Sequence, residues 1–502
     1  MGLETSVVHW SPRLGELDTI LSRCEAAKEL EEAGEFQAAR EALGDLWRGL
    51  GVRPATDNSP TEIKAELLLR TGTLTGWLGS ANQIAGAQES AKDLISESAA
   101  LFEQLGLNEK VAEARVDLAI CYWREGGLDE ARVTLRLALD TLGDLESEQR
   151  LRALLNAAII EQVANRYNEA LRIYREAAPL LDRSNNNSLK GKFHNSYAIV
   201  LKGLGLSQER EDYIDHALLE FEAARFHFEQ AGHKRFRGRV ENNEGFLFAR
   251  LGRFKEAHEH LDRARALLVA VGDHGGAAGN EDTRAQVLLL EGKNEAAEKT
   301  ARSAVRALEH GGEQSMLAEA LTTHGKALAK LNQYDAARKA LDRAIELGQV
   351  AGDPDAGGIA ALTIVEELNQ QLPVETLHEY YLSAESGLSS SQNRQIRTRL
   401  GDSARRLVSS AWSNGSKTET EKANSAPVLI GESYSLETEV LRYEANLIRQ
   451  ALETSGGSVT RAARMLGVTH QGLAFILNGR HKDLLSIRTP VKKRRRSIIR
   501  YH

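Results

Sequence analysis

The chain has 502 residues with a formal net charge of −7, few aromatic residues (5%) and 8 prolines. A chain of this length does not fold around one compact core. Its recurrent Ala, Leu, Glu and Arg favour an all-α protein made of several domains, or of a solenoid plus one further domain. The two cysteines lie far apart, which argues against a disulfide framework. No apolar run is long enough to span a bilayer and no secretory signal pattern is present, so we expect a cytoplasmic protein without a membrane anchor.

A ten-residue pattern recurs along most of the chain. It joins a turn residue, an aromatic or aliphatic residue, an Ala and a further large apolar residue, in segments 34–43, 126–135, 165–174, 252–261, 292–301 and 332–341. Weaker copies lie at 214–224 and 91–98. Apolar residues at i, i+3, i+4 and i+7 predict that each unit is a pair of amphipathic helices. One small side chain per copy predicts close approach of the two helix axes: Ala39, Ala131, Ala170, Ala257, Ala297 and Ala337.

These units resemble the tetratricopeptide repeat, most clearly at 20–53, 112–145, 151–184, 238–271, 278–311 and 318–351. The resemblance covers about residues 20–370, although the spacing of about 40 residues exceeds the usual 34 of that repeat. It implies a tetratricopeptide-like helical-hairpin solenoid, with a concave face that binds a peptide or another protein. A purely structural spacer is the alternative.

The solenoid is expected to end near residue 412. Segments 359–368 and 374–382 predict one more helix pair, and 394–412 predicts a closing helix with a charged outer face. The following residues, 413–435, are mostly polar, and we interpret them as a flexible linker. The solenoid domain is therefore predicted to span residues 1–412.

Three short helices are predicted for residues 436–482. The first spans 436–454 and stops at Ser455-Gly456-Gly457. Thr460 is expected to cap a second helix over 461–466, and Gly467 to end it in the left-handed conformation. Thr469 is expected to cap a third helix over 470–477. A short helix, a glycine turn and a second helix make up the helix-turn-helix pattern, whose second helix enters the DNA major groove.

Residues 457–468 carry the run G-x-V-x-x-A-A-x-x-L-G-V, which resembles the Fis-type helix-turn-helix. The resemblance implies double-stranded DNA as a partner and a homodimer in which the first helix contributes to the interface. The chain departs from the family at His470 and Gly472, where Arg and Thr are common. Base contacts of the family therefore do not transfer one for one.

Position along the third helix predicts which residues face DNA. The residues predicted to face bases are Thr469, His470, Gln471 and Ala474; a solvated surface role is the alternative for each. Gln471 can bond adenine through both atoms of its amide. The cations predicted to contact phosphates are Arg461, Arg464, Arg480, Lys482, Lys492, Lys493, Arg494, Arg495 and Arg496.

Charge is distributed unevenly along the chain. Residues 436–502 hold 13 Lys and Arg and 5 Asp and Glu, a net of +8, so the preceding residues carry −15. The basic end is suited to a polyanion, whereas the acidic body is not. Residues 483–502 are predicted to be a disordered arm that grips phosphates; nuclear import or simple solubilisation is the alternative.

Sequence signals for catalysis and metal binding are missing. No P-loop motif and no Cys/His cluster occurs. His258 and His260 are two positions apart on a predicted helix and should point in different directions. The acidic pairs 31–32 and 366–367 are interpreted as solvated faces. We therefore expect a protein that is not an enzyme and has no cofactor or metal.

The functional prediction combines the two modules. It is a sequence-specific DNA-binding transcription regulator of bacterial type, whose solenoid binds a protein or peptide partner. The alternative is a non-enzymatic scaffold or adaptor protein, whose basic tail binds acidic partners or RNA.

Overall fold

The structure is a computed structural model that describes residues 14–56, 59–391, 393–419 and 436–487. Regular structure in these ranges is entirely helical, as predicted from composition. The chain divides into two compact units, Met1–Gly415 and Ser416–His502, which are described separately. None of the described helices is both long and apolar enough to cross a bilayer.

The first unit is a succession of helices, and the last of them runs four residues beyond Gly415. In chain order they are α1 Leu14–Glu32, α2 Phe36–Leu43, α3 Thr61–Asn82, α4 Ala87–Gln104, α5 Asn108–Glu125, α6 Leu128–Leu142, α7 Glu148–Val163, α8 Tyr167–Arg183, α9 Asn187–Gln208, α10 Glu211–Gln230, α11 Lys234–Arg250, α12 Phe254–Ala270, α13 His274–Leu290, α14 Asn294–Leu308, α15 Gln314–Lys330, α16 Tyr334–Ala351, α17 Pro354–Glu367, α18 Val374–Gly387 and α19 Arg394–Glu419.

Each odd-numbered helix up to α17 packs against the even-numbered helix that follows it, which confirms the tetratricopeptide-like hairpins. The repeated alanines are fully buried where the two helices cross. Glycines at the predicted breaks, such as Gly252 (φ +76°) and Gly292 (φ +77°), adopt the left-handed conformation. The two weak copies are helices too: α10 buries Phe221 and Ala224, and α4 buries Ile95.

Consecutive odd-numbered helices also contact one another, so they form the inner layer of the array. Residues far apart in sequence then meet across successive turns of the superhelix. The Ser188 hydroxyl donates to the Glu32 carbonyl (2.7 Å), and the Asn165 amide donates to Asp355 (2.9 Å). The Gln395 amide donates to the carbonyl of Leu206 at 3.0 Å. The superhelix is thus wound tightly enough for its turns to touch and enclose the inner layer.

The closing helix departs from its predicted end. It continues to Glu419, so the first part of the segment predicted as a linker is helical. The polar residues after Trp412 do not prevent a helix, and the next proline is Pro427. The rest of the predicted linker, 420–435, lies outside the described residues.

The second unit contains α20 Leu436–Thr454, α21 Val459–Met465, α22 His470–Gly479 and a 3₁₀ helix at Lys482–Ile487. The first helix has the predicted bounds. The second begins at Val459 with Ser458 at its N-cap, so the prediction that Thr460 caps it was wrong. Val459 is buried and Thr460 is exposed, so packing of the apolar residue fixes the start of the helix.

The predicted boundary at residue 482 was also wrong. Leu484 is buried in the same apolar cluster as Leu452, Ala462 and Leu473, so the 3₁₀ helix belongs to the folded unit. Residues 488–502 lie outside the described residues.

Candidate functional site

The local geometry of the second unit is that of a helix-turn-helix. Gly467 has φ +68° between α21 and α22, as its position in the turn predicted. The Thr469 hydroxyl accepts the backbone N–H of Gly472 at 3.0 Å and caps α22. Ala462 and Ala463 are buried in the core of the unit, which lets α21 pack closely against its neighbours.

The outer face of α22 is the candidate reading surface. Leu473 and Leu477 point into the core, and the predicted base-facing residues Thr469, His470 and Gln471 are exposed. Ala474, the fourth predicted residue, is half-buried and presents little surface.

Two exposed residues of α22 were not predicted to face DNA. The Phe475 side chain is 81% exposed, and Asn478 is exposed one turn from Ala474. An aromatic residue in a short helix is ordinarily interpreted as core. The exposure of Phe475 could have been predicted from the sequence. Leu473 and Leu477 define the buried stripe of the helix, and Phe475 lies about 200° from Leu473 around the helix axis.

The predicted phosphate contacts fall into three groups. Arg461, Arg464 and Lys482 are exposed and form no ion pair with another described residue. Arg480 instead pairs with Glu444 of α20 at 2.6 Å, although its side chain stays 54% exposed. Lys492 to Arg496 lie outside the described residues.

Glu444 ties the end of α22 to α20. It also contacts Nε2 of the buried His481 at 2.7 Å. Burial raises the pKa of Glu444, but hydrogen bonds from His481 and Arg480 outweigh this and bring it below its usual value. Arg480 therefore has a structural partner that the sequence pattern did not reveal.

Within the solenoid, a buried ionic network joins the inner helices. Arg70 of α3 is fully buried and pairs with Glu31 (3.1 Å), Glu66 (3.4 Å) and Glu113 (2.5 Å), which come from α1, α3 and α5. The interpretation of 31–32 as a solvated face was wrong at Glu31, which is 5% exposed. Likewise Glu366 forms a two-bond pair with Arg399 of α19.

Asparagine side chains bridge neighbouring inner helices. The amide of Asn243 on α11 donates to Asn195 on α9 at 3.1 Å, and that of Asn280 on α13 donates to Asn242 at 2.9 Å. Side-chain amides both donate and accept hydrogen bonds, as a peptide backbone does. Asn195, Asn242 and Asn243 are half-buried and keep part of their amides accessible, whereas Asn280 is buried.

One group of side chains has metal-ligand composition. Ligand atoms of Glu241, Glu244 and His260 lie within 4.8 Å of one another. Arg263 bonds Glu241 at 2.9 Å, and Arg225 lies 3.4 Å from Glu244, so cations of the chain already neutralise the carboxylates. Burial raises the pKa of Glu241, but hydrogen bonds from His260 and Arg263 outweigh it and lower that pKa to about 2.

His258 bonds Glu291, whereas His260 bonds Glu241, so the two histidines diverge as predicted. Free carboxylates aimed at one empty point, which a metal requires, are not found at this group.

Comparison with known proteins identifies the two modules. Residues 442–474 match the family described as "Bacterial regulatory protein, Fis family". The fold is similar to the crystal structure of a Rap protein complexed with competence and sporulation factor, with 14% identity, 77% of this chain and 99% of that chain covered, and a TM-score of 0.53. Yeast Tom70 is a weaker structural neighbour, with 15% identity, 78% and 82% coverage and a TM-score of 0.41.

A third neighbour is a signal transduction ATPase with a tetratricopeptide repeat sensor from Pyrococcus horikoshii. It has 13% identity, 72% of this chain and 57% of that chain covered, and a TM-score of 0.39. No significant match to a curated protein was found. The chain thus combines a tetratricopeptide-like helical solenoid with a C-terminal Fis-family helix-turn-helix.

Proposed function

We propose that this protein is a bacterial transcription regulator without enzymatic activity. In the proposal, its helix-turn-helix binds a specific DNA sequence and its solenoid binds a protein or peptide ligand. The observation that carries it is the Fis-family match at residues 442–474. In this unit α22, the second helix of the helix-turn-helix, presents exposed polar residues at its N-terminal end. Residues at that end of such a helix are the ones that reach base edges.

Selection of duplexes from a random pool by the full-length protein tests sequence-specific binding. We expect one class of duplex to be enriched over competitor DNA. The substitutions His470→Ala and Gln471→Ala should lower the preference for that class about tenfold or more, because each removes a side chain that can bond a base edge. Gln450→Ala is the matched control, since Gln450 is exposed on α20 and away from α22.

The predicted phosphate contacts require a different readout. Replacing Lys492 to Arg496 with Gln should weaken binding to all sequences. It should also reduce the slope of log K against log salt by about 0.9 for each phosphate that the variant no longer neutralises. If no duplex is enriched at any salt concentration while the tail still retains RNA or acidic proteins, the adaptor alternative replaces the regulator.

Dimerisation is part of the proposal, because one small unit makes few base contacts and two on a palindrome make twice as many. Tyr443 (54% exposed) and Leu447 (40% exposed) lie one turn apart on α20 and offer an apolar stripe to a second copy. Sedimentation of the full chain with and without the selected duplex measures the stoichiometry. A monomer in both states contradicts this part.

Support for the solenoid ligand comes from its inner layer. The asparagine pairs of α9, α11 and α13 offer both donors and acceptors. Binding of a peptide there would act on DNA binding by changing the availability or pairing of the helix-turn-helix units.

A further inference from the structure

The Phe475 side chain lies on the reading surface of α22. Successive residues of a helix are about 100° apart, so Gln471, Phe475 and Asn478 fall within about 60° of one another around the helix axis. All three are exposed. Leu473 and Leu477, which anchor α22 in the core of the unit, lie on the opposite side. The ring is therefore not part of the core edge, and it shares a face with the amide that is predicted to bond a base.

The helical neighbours of the ring leave it uncovered. The positions three before and four after Phe475 are glycines, Gly472 and Gly479, and both lie within α22. A Cβ atom added at Gly479 would meet nothing within 4 Å, and one at Gly472 would meet only the Thr469 hydroxyl at 3.1 Å. Packing within the unit therefore requires glycine at neither position. Their effect is to leave the ring standing free, with 81% of the side chain exposed.

The charges of the unit favour DNA as the partner of this ring. Arg461, Arg464 and Lys482 are exposed and form no ion pair with another described residue. Such cations suit phosphates, which fix the position of a protein on a duplex. A second copy of the chain would instead bring the same unpaired positive charges together, which is unfavourable. The ring therefore calls for a polyanion that also offers an apolar group.

The major groove of DNA offers one apolar group, the C5-methyl of thymine. The other groups that base edges present there are hydrogen-bond donors and acceptors, which a phenyl ring does not satisfy. Phe is one of the side chains that can make apolar contact with this methyl. The same methyl group occurs on 5-methylcytosine, so the two sources must be separated by experiment.

We propose that Phe475 determines specificity by contacting the C5-methyl group of a thymine close to the adenine that Gln471 bonds. The proposal rests on the proposed DNA-binding function and names a second base that α22 reads. Side chains four positions apart on a helix have Cβ atoms about 5–6 Å apart, and base pairs are stacked about 3.4 Å apart. The thymine therefore belongs to the same base pair as the adenine or to one within about two base pairs of it.

The test uses the full-length protein and the duplex enriched by selection. Each thymine is replaced in turn by deoxyuridine, whose base lacks only the C5-methyl group. We expect the affinity to fall about fourfold at one position of each half-site, as the loss of one buried methyl group implies, and to stay unchanged elsewhere. That position should lie within about two base pairs of the one where Gln471→Ala relaxes the preference for adenine.

Variants of the ring assign the effect to Phe475. Phe475→Ala should bind the thymine and deoxyuridine duplexes equally, whereas Phe475→Leu keeps an apolar side chain and should retain part of the difference. Met465→Ala is the matched control, because Met465 is an apolar side chain that is 56% exposed on α21, and it should keep the fourfold difference. Hydrogen exchange of α22 without DNA should be equal in wild type and Phe475→Ala, since the ring adds little to the core.

A cytosine arm separates the methyl group from the base that carries it. Replacing the sensitive thymine by cytosine, with guanine opposite, should weaken binding. Replacing it by 5-methylcytosine should recover about fourfold of that loss in wild type and none in Phe475→Ala. Tighter binding of the 5-methylcytosine duplex than of the thymine duplex assigns the ring to methylated DNA and overturns the thymine assignment.

The remaining outcomes separate this inference from the proposed function. An enriched duplex whose affinity changes with no deoxyuridine substitution, or changes equally in Phe475→Ala, leaves sequence-specific binding in place and overturns the thymine contact. A Phe475→Ala variant that binds every duplex as wild type does, but self-associates less in sedimentation, assigns the ring to an interface between copies. Failure to enrich any duplex overturns the proposed function and this inference together.

Discussion

Removal of the Arg70 charge tests whether the solenoid depends on its buried ionic network. Arg70→Met keeps an unbranched side chain of similar length and deletes only the guanidinium. Glu113 and Glu66 keep other partners, since Lys28 lies 2.9 Å from Glu113 and Lys110 lies 2.7 Å from Glu66. Glu31 is left with Arg152 at 3.9 Å. The substitution therefore isolates one buried carboxylate.

The size of the loss follows from what Glu31 must do. Burial already raises its pKa, and without Arg70 it must take up a proton to stay buried. Removing one partner of a buried ion pair costs about 3–5 kcal/mol, so we expect a loss in this range at pH 7. At pH 5 protonation of the carboxyl costs less, so the defect should shrink on acidification.

Urea unfolding of the full chain, followed by far-ultraviolet circular dichroism, measures the loss at both pH values. Hydrogen exchange of α3 reports it locally, because repeat arrays do not always unfold as one unit. Arg172→Met is the control, since Arg172 and Glu169 form an exposed pair worth little. Arg70→Met combined with Glu31→Gln should recover most of the loss. A defect below about 1 kcal/mol at pH 7, or one that is equal at pH 5, refutes the reasoning.

Three further substitutions have defined outcomes. Burial raises the pKa of Asp355 to about 6, so between pH 4.5 and 7.5 the native state holds a proton that the unfolded chain releases, and stability falls as the pH rises. In Asp355→Asn this fall, measured by urea unfolding at both pH values, should be smaller by about 2 kcal/mol. Glu444→Gln should speed hydrogen exchange in α22 yet steepen the salt dependence of DNA binding, because it frees Arg480. Phe475→Ala should abolish any affinity difference between selected duplexes containing thymine and uracil, since an exposed Phe can contact the thymine methyl; a difference that persists contradicts this role.

Periodicity predicted the solenoid because small and apolar side chains recur where packing requires them. Ala257 and Ala297 are fully buried at helix crossings, and Gly252 adopts the left-handed turn that precedes α12. These properties are local to one hairpin. Contacts between turns are not, because the residues that meet, such as Asn165 and Asp355, lie 190 positions apart. A pattern that repeats within each hairpin carries no information about them.

Two boundaries in the second unit were misjudged for a related reason. Val459 lies between polar residues, and Leu484 and Leu485 follow three polar ones, so only the shared core shows that Val459 and Leu484 are anchors. Phe475 is the opposite case, an apolar residue that the core excludes. In a helix of ten residues such as α22, the chemical type of a side chain does not decide whether it lies in the core or on the surface. Its angular position around the helix, relative to Leu473 and Leu477, decides this.

Net charge was informative for the C-terminal end and misleading for the body. A total of −15 over the preceding residues indicates that nucleic acid does not bind there, but a sum assigns every charge the same environment. In the folded array three carboxylates surround Arg70, whereas Arg124 and Arg239 form no ion pair with another described residue. A sum of charges therefore does not show which buried charges are paired. Because an unpaired charge costs most where water is excluded, the pairing of each buried charge, and not the total charge, bears on the stability of the array.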